Sequence, residues 1–371
     1  KLGVTDREDP LIQEIKRSGK TCAMINTCKG CVARCTFCHR WDKGIRYIPV
    51  PVLMKRLDDL IARYNVGFVR MGDENFGTDK RWLGEFCAEV KKRGVLWRVG
   101  GMRVNCIDPE WIDRMKDAGC VTIFYGMESG SQKMLEVMEK KTTAAQNRNA
   151  MKWMVEKSVS TTIQLIVGMP GECHETIAET AEFLAYCATL SPDWDPNNVS
   201  VNFAQALPGT PLYEAGRSCA LIGRSLDDEE AYLIKISDRD ARDGETAINF
   251  TGFPRLTLER WHYDLQSVGR FAFIKKFGPD AYRRILAKSA LFEEPRQDGK
   301  PGDSGYFAAP ARLVEGGGKT DKEAVLNSSA TADTLHAHKD RARFRLDDYP
   351  SILRLVRMRK FFLIPILHPE P

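Results

Sequence analysis

The stretch CKGCVARCTFCHRWDKG, residues 28–44, places four cysteines within eleven positions. Structural zinc sites usually take their ligands from two pairs of residues that lie a dozen or more positions apart. Here the two pairs, Cys28 with Cys31 and Cys35 with Cys38, nearly touch. Such a compact run is typical of an iron–sulfur cube, because one loop can wrap around its closely spaced corners. The segment therefore predicts a cluster-binding loop.

The composition of the 371-residue chain is typical of a folded protein, with 43% hydrophobic and 28% charged residues. No apolar run reaches the roughly 18 residues that a membrane-spanning helix needs, and no export signal is visible, so we expect a cytoplasmic protein. Eleven cysteines, an odd number, fit a reducing compartment. The net charge of +5 equals that of residues 339–360 alone, so there is no strong signal for nucleic-acid binding.

Short β-rich runs alternate with amphipathic helical stretches over the first two thirds of the chain. The predicted strands are 21–26, 66–71, 95–100, 120–126, 160–167 and 199–204. The predicted helices between them are 51–64, 80–93, 109–118, 131–156 and 175–190. Crossovers of this length require parallel strands, which indicates an α/β fold with either a doubly wound sheet or a barrel.

Polar or glycine-rich segments follow the six predicted strands directly. They are the cysteine loop and residues 72–74, 102–105, 127–130, 168–172 and 207–210. The carboxyl ends of parallel strands share one face of the sheet, where α/β folds build their active sites. We therefore expect these six loops to meet at one mouth.

The alternation stops after about residue 213, which predicts four regions. They are a core of residues 1–215, a helical extension 216–292 with helices at 258–277 and 280–291, a linker or loosely ordered loop 293–342, and a tail 343–371. The tail joins basic residues to an apolar run, which favours packing on the core. Weak binding to an anionic membrane surface or a lipid-like substrate is the alternative.

Several motifs in order resemble the radical S-adenosylmethionine (SAM) superfamily. CVARCTFC matches its CxxxCxΦC signature, with Phe37 as the aromatic residue, and GDE at 72–74 resembles its GGE loop. Three later segments of the superfamily resemble FYGMESGSQKMLEVMEKKTT, IVGMPGECHET and LPGTPLYEAG. The resemblance therefore covers residues from about 20 to 215. The branch of cobalamin-dependent methyltransferases and anaerobic magnesium-protoporphyrin cyclase is the most similar. Those proteins carry a cobalamin domain ahead of the barrel, and none is visible in this sequence. Because the chain begins at Lys1 rather than Met, the question whether such a domain precedes it stays open.

The resemblance implies a partial, TIM-like (β/α)6 barrel with a mainly helical C-terminal extension. It also implies that Cys31, Cys35 and Cys38 hold a [4Fe-4S] cluster whose fourth iron binds SAM. Reductive cleavage of SAM would give a 5′-deoxyadenosyl radical that abstracts hydrogen from an unactivated carbon, for methylation or oxidative cyclisation. The implied partners are a small-molecule or lipid-like substrate and an electron donor such as flavodoxin or ferredoxin, with cobalamin as a further cofactor where another domain supplies it.

The same resemblance implies the surroundings of SAM. Phe37 would lie near the adenine, and Gly168 and Gly171 would let the backbone approach it. Arg103 would pair with the methionine carboxylate, and the methionine ammonium group would bind backbone groups of Gly72, Asp73 and Glu74. The ribose or amino groups would be contacted by Glu128, Ser129 and Gln164. Asp73 departs from the GGE form, which has glycine at that position. The sequence assigns no residue to a catalytic step.

Some alternatives stay open at the level of sequence. Cys28 is either a fourth cluster ligand or a core cysteine, and His39 is either a hydrogen-bond donor to the cluster or a solvent-facing residue. An iron–sulfur electron carrier, or a metal-binding partner protein without radical chemistry, would use the same cysteines. Among enzymes, a methylthiotransferase is a further alternative.

Overall fold

The computed structural model describes residues 10–290 except 40–43, 238–240, 243 and 245–247. Its strands are β1 (Thr21–Ile25), β2 (Cys28–Lys29), β3 (Arg46–Tyr47), β4 (Val66–Met71), β5 (Leu96–Met102), β6 (Cys120–Glu128), β7 (Ile163–Val167) and β8 (Val199–Phe203). Its helices are α1 (Pro10–Arg17), α2 (Val50–Tyr64), α3 (Lys80–Lys91), α4 (Pro109–Asp117), α5 (Gln132–Val137), α6 (Ala144–Glu156), α7 (His174–Ala188), α8 (Pro211–Ser218), α9 (Leu226–Ile236), α10 (Arg255–Phe277) and α11 (Pro279–Ala290).

The six long strands form one parallel sheet in which each strand pairs with the next one along the chain. A doubly wound sheet would instead reverse this order at a switch point. Consecutive order with helical crossovers gives a partial barrel, and the sheet curls into a TIM-like half-barrel as predicted. β2 and β3 form a separate antiparallel pair on either side of the cysteine loop.

Strand β7 shows what each face of the sheet packs against, because alternate residues of a strand point to opposite faces. Ile163, Leu165 and Val167 are buried in the main hydrophobic core together with residues of α7 and α10. Gln164 and Ile166 are only half-buried and lie on the other, concave face. The concave face therefore keeps side chains available for a site.

One helix prediction is wrong. The segment 131–156, predicted as a single helix, forms α5 and α6 with a break before Thr143. Thr143 begins α6 with a capping box, in which its hydroxyl accepts from the Gln146 amide and the Gln146 side chain accepts from the Thr143 amide. Within the break, Glu139 and Lys141 adopt left-handed φ angles of 48° and 53°. The backbone therefore changes direction twice within three residues.

The helical extension contributes to the hydrophobic core of the barrel. Leu258, Trp261 and Leu265 of α10 are almost fully buried there and pack against α7. The division at residue 215 stays a prediction, and the predicted regions 293–342 and 343–371 lie outside the described residues. In the part of the chain that the structure describes, every helix is too short or too polar to cross a membrane.

Candidate functional site

Hydrogen bonds between separate segments hold the cysteine loop at the mouth of the half-barrel. The Thr36 amide donates to the Met138 carbonyl after α5, and the Leu212 amide of α8 donates to the Thr36 carbonyl, both at 3.0 Å. Nδ1 of His39 lies 3.0 Å from the Pro208 carbonyl oxygen, in the geometry of a donor to that carbonyl. The cysteine loop after β1 therefore meets the segment between α5 and α6 and the loop after β8, and its meeting with the β8 loop is as predicted.

Three thiols of this loop lie close enough to affect one another. Cys31 and Cys35 are half-buried, Cys38 reaches the surface, and all three are free of disulfide bonds. The pKa of Cys38 is raised to about 11, first by desolvation within the protein and then by repulsion from Cys35 and from Cys31, while Lys140 opposes the shift. The Arg103 guanidinium donates from Nη1 to Cys35 Sγ at 3.6 Å. The three thiols therefore share their surroundings with two cations, Arg103 and Lys140.

Cys28 points into the protein. Its Sγ lies 3.8 Å from the Asn75 carbonyl oxygen, and the residue is 7% exposed. Burial, reinforced by the adjacent Asp73 carboxylate, raises the pKa of the Cys28 thiol, so it keeps its proton. These surroundings favour the core-cysteine alternative over a fourth cluster ligand.

The donor set of the loop fits a cube-shaped cluster with one iron left for another ligand. Thiolates are the protein ligands that iron–sulfur clusters prefer, and each iron of a cube takes its own thiolate. The three sulfurs therefore need not converge on a single point. Within the described ranges, no group of three or more His, Cys, Asp or Glu side chains has the arrangement for a single metal ion.

Asp73 joins the loop after β4 to the start of the cysteine loop. Its buried carboxylate accepts hydrogen bonds from the Thr27 amide and the Thr27 hydroxyl at 2.7 Å, and from the Cys28 amide at 2.8 Å. Burial raises the pKa of this carboxyl, and the hydrogen bonds oppose the shift. Glycine at this position would leave those donors without this acceptor, which gives a physical reason for the departure from the GGE form.

Lys140 belongs to the site although the sequence prediction did not include it. Its Nζ forms an ion pair with Glu128 Oε1 at 2.6 Å, and the two side chains are only 8% and 11% exposed. Nζ also lies 6.0 Å from the centre of the Phe37 ring, and the Lys140 carbonyl accepts a hydrogen bond from Arg103 Nη2. Lys140 therefore connects Glu128, Phe37 and Arg103, which the sequence predicted separately.

The conformation of Glu128 is constrained as well. Its φ of 62° is left-handed, which costs a residue with a side chain about 1–2 kcal/mol. Strain of this kind persists where the surrounding structure fixes the residue, and it concentrates at functional sites. The break between α5 and α6 around Lys140 also contains left-handed residues, Glu139 and Lys141. The Thr143 capping box, which begins three residues after Lys140, was the signal in the sequence that could have revealed the break.

The other predicted SAM contacts lie at the strand ends in different surroundings. Gly72 and Glu74 are exposed after β4, and Gln164 lies on the concave face of β7. Ser129 is 1% exposed, and its hydroxyl is 3.0 Å from the Thr180 hydroxyl of α7. Their roles toward SAM stay predictions.

A buried carboxylate holds the loop after β7. Glu172, 3% exposed, accepts a hydrogen bond from the Gly168 amide at 2.5 Å. Burial raises the pKa of Glu172 to about 7, and hydrogen bonds from the amides of Gly168 and Met169 limit the shift. Gly168 and Gly171 have φ angles of 96° and 77°, which glycine adopts without strain. Met169 packs in one apolar cluster with Phe37, so this loop adjoins the cysteine loop.

Curated proteins resemble this chain over about half of its length. Residues 25–184 match the model of the radical SAM superfamily. The chain is 30% identical over 204 residues to the anaerobic magnesium-protoporphyrin IX monomethyl ester cyclase of Cereibacter sphaeroides. This match covers 53% of this chain and 32% of that protein. It is 26% identical over 208 residues to an uncharacterized methyltransferase of Pyrococcus horikoshii, and this match covers 55% of this chain and 44% of that protein.

Among solved structures, the cobalamin-dependent SAM radical enzyme OxsB, with aqua-cobalamin and SAM bound, has a similar fold. The TM-score is 0.50 at 18% identity, and the match covers 91% of this chain and 60% of that chain. This chain spans less than half of the length of either curated relative. The family match, the cysteine loop at the mouth and the half-barrel agree: residues 25–184 belong to a radical SAM domain.

Proposed function

We propose that this chain is a radical SAM enzyme in which Cys31, Cys35 and Cys38 bind a [4Fe-4S] cluster that cleaves SAM. The observation that carries the proposal is that these three thiols share one loop at the mouth, while Cys28 is buried against Asn75. The cyclase and the methyltransferase among the relatives support oxidative cyclisation or methylation of a small molecule. The proposal includes a flavodoxin- or ferredoxin-like electron donor, a cytoplasmic location, and cobalamin only where a further domain brings it.

The chemistry that such a cluster supplies is the reductive cleavage of SAM to methionine and a 5′-deoxyadenosyl radical, which takes hydrogen from an unactivated carbon. The chain's own residues prepare the site for it. Arg103 and Lys140 offset the negative charge of the thiolates, and Arg103 offers a planar pair of donors suited to a carboxylate. Phe37 and Met169 form an apolar wall that keeps water from the reacting atoms.

The test is anaerobic reconstitution of the full chain with iron and sulfide, followed by reduction in the presence of SAM. We expect a cube-type absorption and electron paramagnetic resonance (EPR) spectrum, and formation of 5′-deoxyadenosine. Serine at position 31, 35 or 38 should remove most of the bound iron and reduce 5′-deoxyadenosine by at least about a hundredfold, because one lost thiolate leaves the cube with too few ligands.

Two matched substitutions control this experiment. Cys219→Ser removes an exposed thiol outside the loop, and Cys28→Ser removes the buried one; both should keep the cluster spectrum. Loss of the cluster in Cys28→Ser with the fold intact by circular dichroism would favour the electron-carrier alternative, in which four thiolates close the cube. A stable cluster that never yields 5′-deoxyadenosine would contradict the enzyme.

A further inference from the structure

A cavity of about 440 Å³ opens beside the cysteine loop, and its lining is strongly basic. Four segments each contribute one basic side chain: Arg34 from the cysteine loop, Lys80 from the start of α3, Arg103 after β5, and Lys141 after α5. The other lining residues are apolar or neutral, and no carboxylate lines the cavity. The lining of the cavity therefore has a net positive charge.

Two acidic residues that lie next to this lining in sequence cap helices. Asp79 and Asp108 cap α3 and α4, and each accepts from a backbone amide of its own helix at 3.0 Å. Lys80 instead donates to the Cys106 carbonyl and lies 5.1 Å from the centre of the Trp111 ring. Among the described residues, none of the four basic side chains forms an ion pair with a carboxylate. Desolvation even lowers the pKa of Lys80.

We propose that this cavity binds an anionic group of the substrate, a carboxylate or a phosphate. Basic side chains that converge without acidic partners are stabilised by an anion, and charge-assisted hydrogen bonds are the strong ones. Three lining residues, Val32, Ala33 and Arg34, lie between Cys31 and Cys35, so the cavity adjoins the cysteine loop. An anion held there keeps the rest of the substrate within reach of the place where SAM is cleaved.

This inference rests on the proposed function in one respect, which is that the anion belongs to the substrate of the enzyme. The test itself measures anion binding and needs no turnover. The full chain, reconstituted and saturated with SAM, is titrated in a calorimeter with inorganic phosphate and, separately, with succinate. Arg34→Gln combined with Lys141→Gln removes the two exposed cations of the cavity. Lys55→Gln combined with Arg56→Gln on α2 removes the same charge from another exposed surface and serves as the control.

We expect saturable binding of one of the two anions, and the better one distinguishes a phosphate from a carboxylate. The cavity variant should bind it at least about tenfold more weakly, the control variant within about twofold of the wild type, and the SAM affinity should stay unchanged in both. The proposal is overturned if neither anion saturates, if both double variants weaken equally, or if the anion competes with SAM, which would make the cavity part of the SAM site. Anion binding that survives a failure of SAM cleavage would separate this site from the proposed function.

Discussion

Asp73 stands at the position of the second glycine in the GGE form of the radical SAM loop, and its surroundings explain the exchange. Its carboxylate is the acceptor for three donors, two on Thr27 and one on Cys28. Those donors lie three and four positions before Cys31. Asp73 therefore acts as a positioning residue, because it fixes the backbone from which the cluster loop starts.

We expect Asp73→Ala to lower the free energy of unfolding by about 2–4 kcal/mol, since buried donors lose a charged acceptor. The same change should reduce the iron retained per chain after reconstitution. Glu74→Gln is the control, because Glu74 is adjacent but exposed; it should leave both quantities unchanged. The measurements are urea unfolding of the metal-free chain and iron analysis. Equal effects of the two substitutions would contradict a positioning role.

At the scale of single residues, the sequence predicted the site residues that belong to a recognisable motif and did not predict those outside a motif. Phe37 and the three cysteines predicted as cluster ligands follow from one short signature, and the structure brings them to the mouth of the barrel. Lys140 does not follow from it, because a lysine in a helical pattern reads as a solvated surface residue. Its position depends on the two left-handed residues beside it, which sequence periodicity does not report.

At the scale of elements, the six strands were predictable to within a few residues because each is a short β-rich run bounded by turn signals. The segment 131–156 was not, because helical periodicity continues across the break between α5 and α6. The Thr143 capping box marks the true start of α6. The break lies beside the end of β6, so the error in one element and the missed residue Lys140 have a single cause.

The loop between β6 and α5 depends on close packing against α7. The Gly130 amide donates to the Thr180 hydroxyl at 3.1 Å. A Cβ at Gly130 would lie 2.6 Å from Phe183 Cβ and 2.7 Å from Thr180 Cα. We expect Gly130→Ala to destabilise the fold by about 1–3 kcal/mol, because the backbone of a helix has to move. Thermal and urea unfolding measure it.

Gly84→Ala provides the opposite case. Gly84 lies inside α3, and a Cβ there would meet its nearest atom, Trp111 Cη2, at 3.5 Å, an ordinary contact. We expect that substitution to stabilise the chain by roughly 0.5–1 kcal/mol, because alanine favours a helix over glycine. Equal changes at the two positions would mean that the β6–α7 contact does not constrain the loop.

At the scale of the whole molecule, the question is whether the half-barrel and the helical extension unfold together. Trp261 of α10 is 2% exposed, packs in the barrel core, and donates from Nε1 to His174 Nδ1 of α7 at 3.2 Å. The cluster loop lies at the mouth, at the carboxyl ends of the strands. Because residues of α10 and of the strands belong to one hydrophobic core, we expect damage to α10 to reach this loop.

Trp261→Ala should therefore cost about 3–5 kcal/mol, and it should lower the midpoint of helix loss by circular dichroism and that of cluster release by visible absorbance together. Phe271→Ala changes an aromatic residue of the same helix that is 54% exposed, so both midpoints should stay within experimental error of the wild type. A Trp261→Ala protein that loses its helical signal early yet releases its cluster at the wild-type midpoint would mean that the extension is a unit of its own. Coincident shifts would place the extension within the cooperative unit that holds the cluster.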